Sequence, residues 1–504
     1  MPLAIALSRA LVGIEAPAVR VEVNLANGLP GISIVGLPET AVKESKDRVR
    51  AAIANSGFDF PDRRITVNLA PADLPKDGGR FDLPIAIGIL AASGQIPADL
   101  LANHEFIGEL SLAGELRPVT GALPSAIATA AADRALILPA ENAPEAALVN
   151  DLDLRPATQL IDVAQHLADG ATLPPHDSPP PAVDPDYGLD MADVRGQPKA
   201  RRALEIAAAG RHHMLMVGPP GTGKTMLATR LATIMPPMTD GEALESAAIL
   251  SIGQGGFDSR RYRQRPFRSP HHTSSGVALV GGGSIPRPGE ISLATHGILF
   301  LDEFTEFEKR VLEVLREPLE TGTITISRAA RQAEFPANFQ LIAAMNPCPQ
   351  GYDCDLRDNC QCTPEQQQRH RNRISAPILD RIDLQIEVPK LPREMLRERA
   401  ADTEDSTTIR ARVTAARQRQ LERCGKPNAT MNNREVERWC TLDKQCNALM
   451  DTAMDRFNLS ARAYHRILKV ARTIADLGGE EEISALHLTE ALGYRAMDRW
   501  LTGK

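Results

Sequence analysis

The stretch GPPGTGKT, residues 218–225, has the composition and spacing of a phosphate-binding loop. Gly218, Gly221 and Gly223 let backbone N–H groups curl around phosphate oxygens, with Pro219, Pro220 and Thr222 completing the loop. Lys224 is placed to reach the terminal phosphates, and Thr225 offers a hydroxyl to Mg²⁺. The apolar run HMLMV precedes the loop and TMLATRLATIM follows it, a strand and a helix where the motif requires them. A glycine-rich turn without a ligand would need neither flank. The second candidate is GILFLDEF, residues 297–304, an apolar strand ending in two acids. Asp302 would hold the water shell of Mg²⁺, and Glu303 would polarise the water that attacks a γ-phosphate. Two acids at a strand tip are otherwise solvated cap residues; the upstream phosphate loop favours the catalytic reading.

Three further groups could bind or ligate. RRYRQRPFR, residues 260–268, carries Arg260, Arg261, Arg263, Arg265 and Arg268 in a chain of formal net charge −7. Such a run either meets a polyanion or is paired with acids on an adjacent protomer or solvated. NPCPQGYDCDLRDNCQC brings Cys348, Cys354, Cys360 and Cys362 close together in sequence, a candidate tetrahedral Zn²⁺ set of irregular spacing, against reduced cytosolic thiols. His271 and His272 lie side by side in a loop-like segment, where contact with metal or phosphate and a structural hydrogen-bonding role both remain open.

These groups need elements to position them. At 504 residues, with 43% hydrophobic and 24% charged residues, the chain has the composition of a soluble globular protein of roughly three domains. The formal charge excludes a uniformly basic surface, so nucleic acid would have to meet a local stripe. No segment has the ~18 uninterrupted apolar residues of a membrane span, and Arg9 interrupts the apolar start, so the expected location is cytoplasmic, with no membrane partner. A proline-rich connector at 171–188 divides the chain. Before it, residues 1–170 alternate strand and helix patterns, an α+β domain. After it, residues 189–392 read as short apolar strands between helices, the signature of a mostly parallel α/β sheet. Residues 393–504 are helical in period.

The motifs GPPGTGKT and LDEF, the strand end AAMN at Asn346 and SAPILDRIDL around Arg381 resemble the AAA+ ATPases, specifically the magnesium-chelatase and MCM clade. That resemblance implies ATP and Mg²⁺ as cofactors, Asn346 as sensor 1, Arg381 as a finger offered to the neighbouring subunit, and Arg462 as sensor 2 in a helical lid, with Arg466 one turn away able to take the same role. Gly196 and Gln197 would lie near the adenine. A finger supplied in trans implies a ring.

The segments 106–142 and 75–84 resemble the proteolytic domain of Lon, but Gly79, Arg80 and Phe81 stand where Lon has its nucleophile, and Gly121, Ala122, Leu123 and Pro124 where it has its lysine. Without a Ser-Lys dyad no acyl-enzyme forms. The combination of a proteolytically inactive Lon-like domain, a chelatase-type AAA+ module and a helical C-terminal domain resembles the ComM/YifB family over nearly the whole length. Membership implies a homo-hexameric, ATP-driven DNA helicase that promotes branch migration in homologous recombination during natural transformation, acting on single-stranded and branched DNA beside recombinase machinery. It also implies that the hairpin-like segment 321–339 places Arg328 and Arg331 in the ring channel, with Arg265 and Arg268 as further DNA contacts from the long insert. A chelatase-type ATPase subunit driving metal insertion, or another AAA+ remodelling ring, is the alternative.

Overall fold

The computed structural model describes residues 3–37, 39–169, 173–176, 187–253, 255–283, 286–328, 331–350, 362–391, 403–457 and 459–495. Contacts divide the chain into two compact units. The first comprises Met1–Asp184 with Leu244–Tyr262 and Ser327–Phe335; the second comprises Pro185–Ala243, Arg263–Ile326 and Pro336–Lys504.

In the first unit, β1 (Leu3–Arg9), β2 (Ala18–Ala26), β3 (Gly31–Val35), β4 (Arg64–Ala70), β5 (His104–Phe106), β8 (Ala135–Pro139) and β9 (Leu154–Ala157) form one mixed sheet in the order β3-β4-β2-β1-β5-β8-β9. Two short strands, β6 (Glu109–Leu110) and β7 (Leu116–Arg117), pair apart from it. Val19, Val21, Val23 and Leu25 are buried at every second position of β2, so one face of the sheet is driven onto the core by period-two patterning. The helix Asp82–Ala92 fills that core and is buried nearly all round. Gly88 is needed there, because a Cβ would stand 2.6 Å from the Val23 side chain.

The second unit is built on a wholly parallel sheet of β11 (Phe267–Arg268), β14 (Ile298–Leu301), β17 (Gln340–Met345), β10 (Met214–Val217) and β18 (Leu384–Glu387), in that order. β10, β14 and β17 are buried along their whole lengths, as expected when helices cover both faces of a parallel sheet. β12 (Gly281–Gly282) pairs with β13 (Arg287–Pro288) in a small separate sheet, and β15 (Thr323–Arg328) pairs with β16 (Arg331–Pro336) in another, of which Ser327–Phe335 is counted with the first unit. The C-terminal segment is helical, as the periodicity predicts: Ser406–Cys424, Asn433–Trp439, Lys444–Phe457, Ala461–Gly478 and Ala485–Gly493. Ser460 caps the fourth of these by accepting the Ala463 N–H, and Gly479 stops it at φ 77°. Its buried Ile467, Val470, Ala471 and Ile474 follow helical spacing and join the same apolar core as Met214 and Met216 of β10.

Candidate active site

In an open parallel sheet, ligands sit beyond the carboxyl ends of the strands where the strand order reverses. β10 is that strand, flanked by β17 on one side and β18 on the other. The chain leaves it through the glycine loop into the helix Lys224–Ile234. Gly221 and Gly223 have φ of 76° and 87°, which only glycine adopts without strain. Gly218 is fixed for another reason: a Cβ there would lie 2.2 Å from the Val388 carbonyl oxygen.

The chemically competent side chains converge on this loop. Lys224 Nζ donates to the Gly218 and Pro219 carbonyls at 2.7 and 2.9 Å and to Asn346 Oδ1 at 3.2 Å. Burial lowers its pKa from the usual lysine value. Thr225 Oγ1 donates to Asp302 Oδ2 at 2.7 Å, so the two oxygen ligands expected for Mg²⁺ are side by side, and hard oxygen donors suit that ion. Asp302 Oδ1 accepts the Glu303 N–H at 2.9 Å. Glu303 itself has φ 51°, a left-handed conformation that a glutamate occupies only when its surroundings impose it. The His272 imidazole Nδ1 lies 3.0 Å from its Oε2.

Asn346 is steadied from below by His370, whose Nε2 lies 3.1 Å from the Asn346 carbonyl oxygen. On the opposite side of the loop Gln197 Nε2 donates to the Thr222 carbonyl at 2.9 Å. Gly196 and Gln197 line a cavity of about 360 Å³ with Arg201, Thr403, Ile409 and Arg412.

The arginines separate into different classes. Arg381 is buried, with Nη1 on the Pro377 carbonyl and Nη2 on Glu320 of the same protomer. A finger acting in trans would therefore have to exchange Glu320 for phosphate. Arg466 is committed to Asp383 at 2.5 Å and to the Arg381 carbonyl at 3.0 Å. Burial alone would raise Asp383, but Arg466 and His212 outweigh it and hold the carboxyl well below the usual carboxylate range. Arg462 is 71% exposed and only 3.9 Å from Asp380. Of Arg462 and Arg466, Arg462 is the one whose guanidinium is not tied up internally.

Two of the expected DNA contacts are engaged inside the chain. Arg265 is 6% exposed, with Nε on the Pro236 carbonyl (2.7 Å), Nη1 on the His296 carbonyl (2.6 Å), and Nη2 on the Pro237 carbonyl and Glu242 (both 3.2 Å). It is a buried tie and cannot also meet a phosphate backbone. Arg268 forms a two-pronged pair with Glu290 at 2.6 and 2.7 Å, which holds its pKa above the usual value. Arg260 and Arg263 pair with Asp258 and Asp240. Acids of the same chain answer all four of these arginines. Arg328 and Arg331 lie on β15 and β16 of the paired strands, while their side chains lie outside the described residues.

Cys348 and Cys362 are buried and packed together, whereas Cys354 and Cys360 lie outside the described residues. Among the described residues, three or more metal-ligating side chains nowhere gather. In the first unit Arg80, in the short turn Gly79–Phe81, is buried and donates to the carbonyls of Arg9 and Thr120, and burial lowers its pKa to about 10. Gly121 caps the helix Ala122–Ala131 with φ 74°, and a Cβ there would stand 2.5 Å from Leu11. A lysine at Gly121 would not fit.

Family models described as magnesium chelatase subunit ChlI match residues 190–396 and 21–142, and one for its C-terminal part matches 403–495. Over 505 residues, 99% of each chain, the sequence is 52% identical to the competence protein ComM of Haemophilus influenzae. The chain belongs to the ComM/YifB family of magnesium-chelatase-like AAA+ ATPases. The YifB protein of Salmonella typhimurium is 50% identical over 504 residues, covering 99% of this chain and 98% of its own. Lon protease 2 of Bacillus subtilis is 26% identical over 190 residues, 33% of this chain and 34% of its own. Membership carries ATP and Mg²⁺ use, for which the ring of Lys224, Thr225, Asp302, Glu303 and Asn346 supplies fitting groups. Among the described residues no helix is long and apolar enough to cross a membrane.

Sequence reasoning missed Glu320 and His370 as partners of the site and left the role of His272 open. For His272 a signal existed. β11 and β14 are parallel neighbours, with Arg268 opposite Leu299, so the residues following each strand emerge at the same sheet end. Parallel pairing of PFR with ILFL would have brought His272 toward Glu303.

Proposed function

We propose that this chain is an ATP-driven DNA translocase that works as a homo-hexamer and promotes branch migration during uptake and recombination of DNA. The observation that carries the reading is the phosphate loop joined to Asp302 and Glu303 through the Thr225 hydroxyl, in a chain alike over its full length to a protein named for competence. Glu303 would take a proton from the attacking water, Lys224 and Asn346 would hold the γ-phosphate oxygens, and Thr225 with Asp302 would hold Mg²⁺, which supplies charge neutralisation on the phosphates. Adenine would enter the cavity beside Gly196 and Gln197. Arg381 would leave Glu320 to reach the neighbouring subunit's phosphate, and Arg462 would close the lid. DNA would be gripped by Arg328 and Arg331, since Arg265 and Arg268 are occupied. Zinc at the cysteines rests on the packed pair Cys348 and Cys362, half of a tetrahedral set, and zinc content of the purified chain decides it.

The test is strand displacement and branch migration on synthetic three- and four-way junctions, by wild type and by Glu303→Gln, with mass measured in ATP. Displacement by a six-subunit species that the variant cannot perform supports the reading. ATP hydrolysis without DNA binding would return the chain to the second reading, a chelatase-type subunit, which the three ChlI family matches favour.

A further inference from the structure

The first unit holds a cavity of about 330 Å³ that the nucleotide chemistry leaves unused. Two stretches of that unit build it, residues 118–145 and 251–259, and the Gly121 N–H joins them by donating to the Ser251 carbonyl at 3.2 Å. Its charge is of one sign. Glu141 and Glu145 line it, and no Lys, Arg or His stands among the described residues of its wall. The two glutamates are four apart in consecutive helical turns, Ala140–Asn142 and Ala143–Ala146, a spacing that sets their Cβ atoms about 5 to 6 Å apart on one face. Glu141 is exposed at the rim, and Glu145 is partly buried.

Glu145 is hydrogen-bonded but not neutralised. Asn142 Nδ2 donates to its Oε1 at 3.4 Å, and the Ala122 N–H and the Ser251 hydroxyl also favour its charged form. Asn142 is itself locked to the backbone of Val119, accepting its N–H at 2.9 Å and donating to its carbonyl at 3.0 Å. Arg80 is near enough to favour the carboxylate, yet its guanidinium donates to the Arg9 and Thr120 carbonyls. Burial outweighs these four and raises the carboxyl to about 7. Ser251 is 2% exposed and lines the cavity, and no well-formed hydrogen bond engages its Oγ. A carboxylate desolvated without a paired cation, beside a buried hydroxyl with an acceptor to spare, is short of a cation that can donate hydrogen bonds.

An ammonium carries three N–H donors and serves both groups. Other parts of the wall suit a hydrocarbon stem: Val119, Pro144 and the ring of Phe257, which meets Tyr262 edge-on with centroids 6.5 Å apart. A second ammonium at the far end of that stem would meet Glu141. A divalent metal suits the cavity less well, because three or more His, Cys, Asp or Glu side chains nowhere gather among the described residues. We propose that this cavity binds a short aliphatic diamine or polyamine, with one ammonium on Glu145 and Ser251 and the next on Glu141. The site belongs to the first unit alone and does not depend on the ATPase or DNA reading. Its occupant ties residues 251–259 to residues 118–145 and supplies the counter-charge that Glu145 lacks.

The test is titration calorimetry of the full chain, free of nucleotide and DNA, at pH 6 and pH 8 and one fixed ionic strength. The probes are putrescine and n-butylamine, which has the same stem and a single head; the proteins are wild type, Glu145→Gln and Glu141→Gln. Alkylammonium groups stay protonated over this range, so the pH comparison reads Glu145. A carboxyl with a pKa of about 7 is mostly neutral at pH 6 and mostly ionised at pH 8, and putrescine affinity should rise about tenfold between them. At pH 8 Glu145→Gln should weaken binding by about tenfold or more and remove the pH dependence. Glu141→Gln, which changes an exposed pair, should weaken it by about two- to fivefold and keep the dependence. n-Butylamine should bind wild type about two- to fivefold more weakly than putrescine and ignore Glu141→Gln. Putrescine affinity that is equal at the two pH values, unmoved by Glu145→Gln or no greater than that of n-butylamine overturns the proposal, as does the absence of binding at millimolar putrescine. Should Glu145→Gln fail to fold, the pH dependence of wild type and of Glu141→Gln decides.

Discussion

Replacing Arg265 with alanine should damage the fold and leave DNA affinity almost untouched, the reverse of what its place in an arginine run implies. Its guanidinium ties three backbone carbonyls, Pro236, Pro237 and His296, to Glu242. Burial alone would raise Glu242, yet Arg265 and then His296 outweigh it and hold the carboxyl below its usual range. Alanine leaves the carbonyls without this donor and Glu242 without its main counter-charge. Breaking one side of a buried charged network costs about 3 to 5 kcal/mol, and each stranded carbonyl that water cannot reach about 1 to 3 kcal/mol. Partial hydration of the space left behind offsets some of this, so the net loss should be ~4 kcal/mol, lowering the melting temperature of a unit this large by roughly 6 to 7 °C. The assay is thermal unfolding followed by circular dichroism, beside fluorescence anisotropy of labelled single-stranded DNA at one fixed salt concentration. A variant that melts with wild type but binds DNA tenfold more weakly would refute the buried-tie assignment.

Gly218→Ala should abolish ATP binding, measured by titration calorimetry, while the rest of the chain remains folded, because its Cβ meets the Val388 carbonyl at 2.2 Å. Arg328→Ala with Arg331→Ala should keep ATP turnover and lose strand displacement, read in parallel assays. Glu145, in the first unit, gives a pH signature: burial raises its pKa to about 7. A carboxyl raised in the folded state contributes stability that is fully present below its unfolded pKa, near 4.5, and is lost as pH climbs through about 7. Glu145→Gln should therefore match wild type in urea melts at pH 4.5 and exceed it by about 2 kcal/mol at pH 8, after allowing for solvent at the cavity rim. Equal curves at both pH values would refute the burial.

The parts of the site that a reader of the sequence could place are those set by local backbone chemistry. Gly221 and Gly223 announce positive φ, an apolar run before them announces a buried strand, and Asp302 with Glu303 ends another; all of these depend on neighbours a few residues away. The fates of Arg265 and Arg268 were not legible for the opposite reason. Their partners, Glu242 and Glu290, lie 23 and 22 residues distant, and nothing in a run of arginines says which acids the fold will bring beside it. Arg381 was read as a finger from its motif, but the motif does not encode the local Glu320 that holds its guanidinium. The first unit shows the same limit: Leu244–Tyr262 and Ser327–Phe335 belong to it although they are drawn from the middle of the ATPase sequence, a long-range association that periodicity cannot express.

Coupling between the Glu303 site and DNA is tested most directly by ATP turnover of the full chain at saturating nucleotide, with and without a branched DNA substrate, run beside Glu303→Gln. Turnover that DNA stimulates and that the substitution removes by about a hundredfold or more is the predicted result. Turnover indifferent to DNA, or surviving in Glu303→Gln, contradicts it.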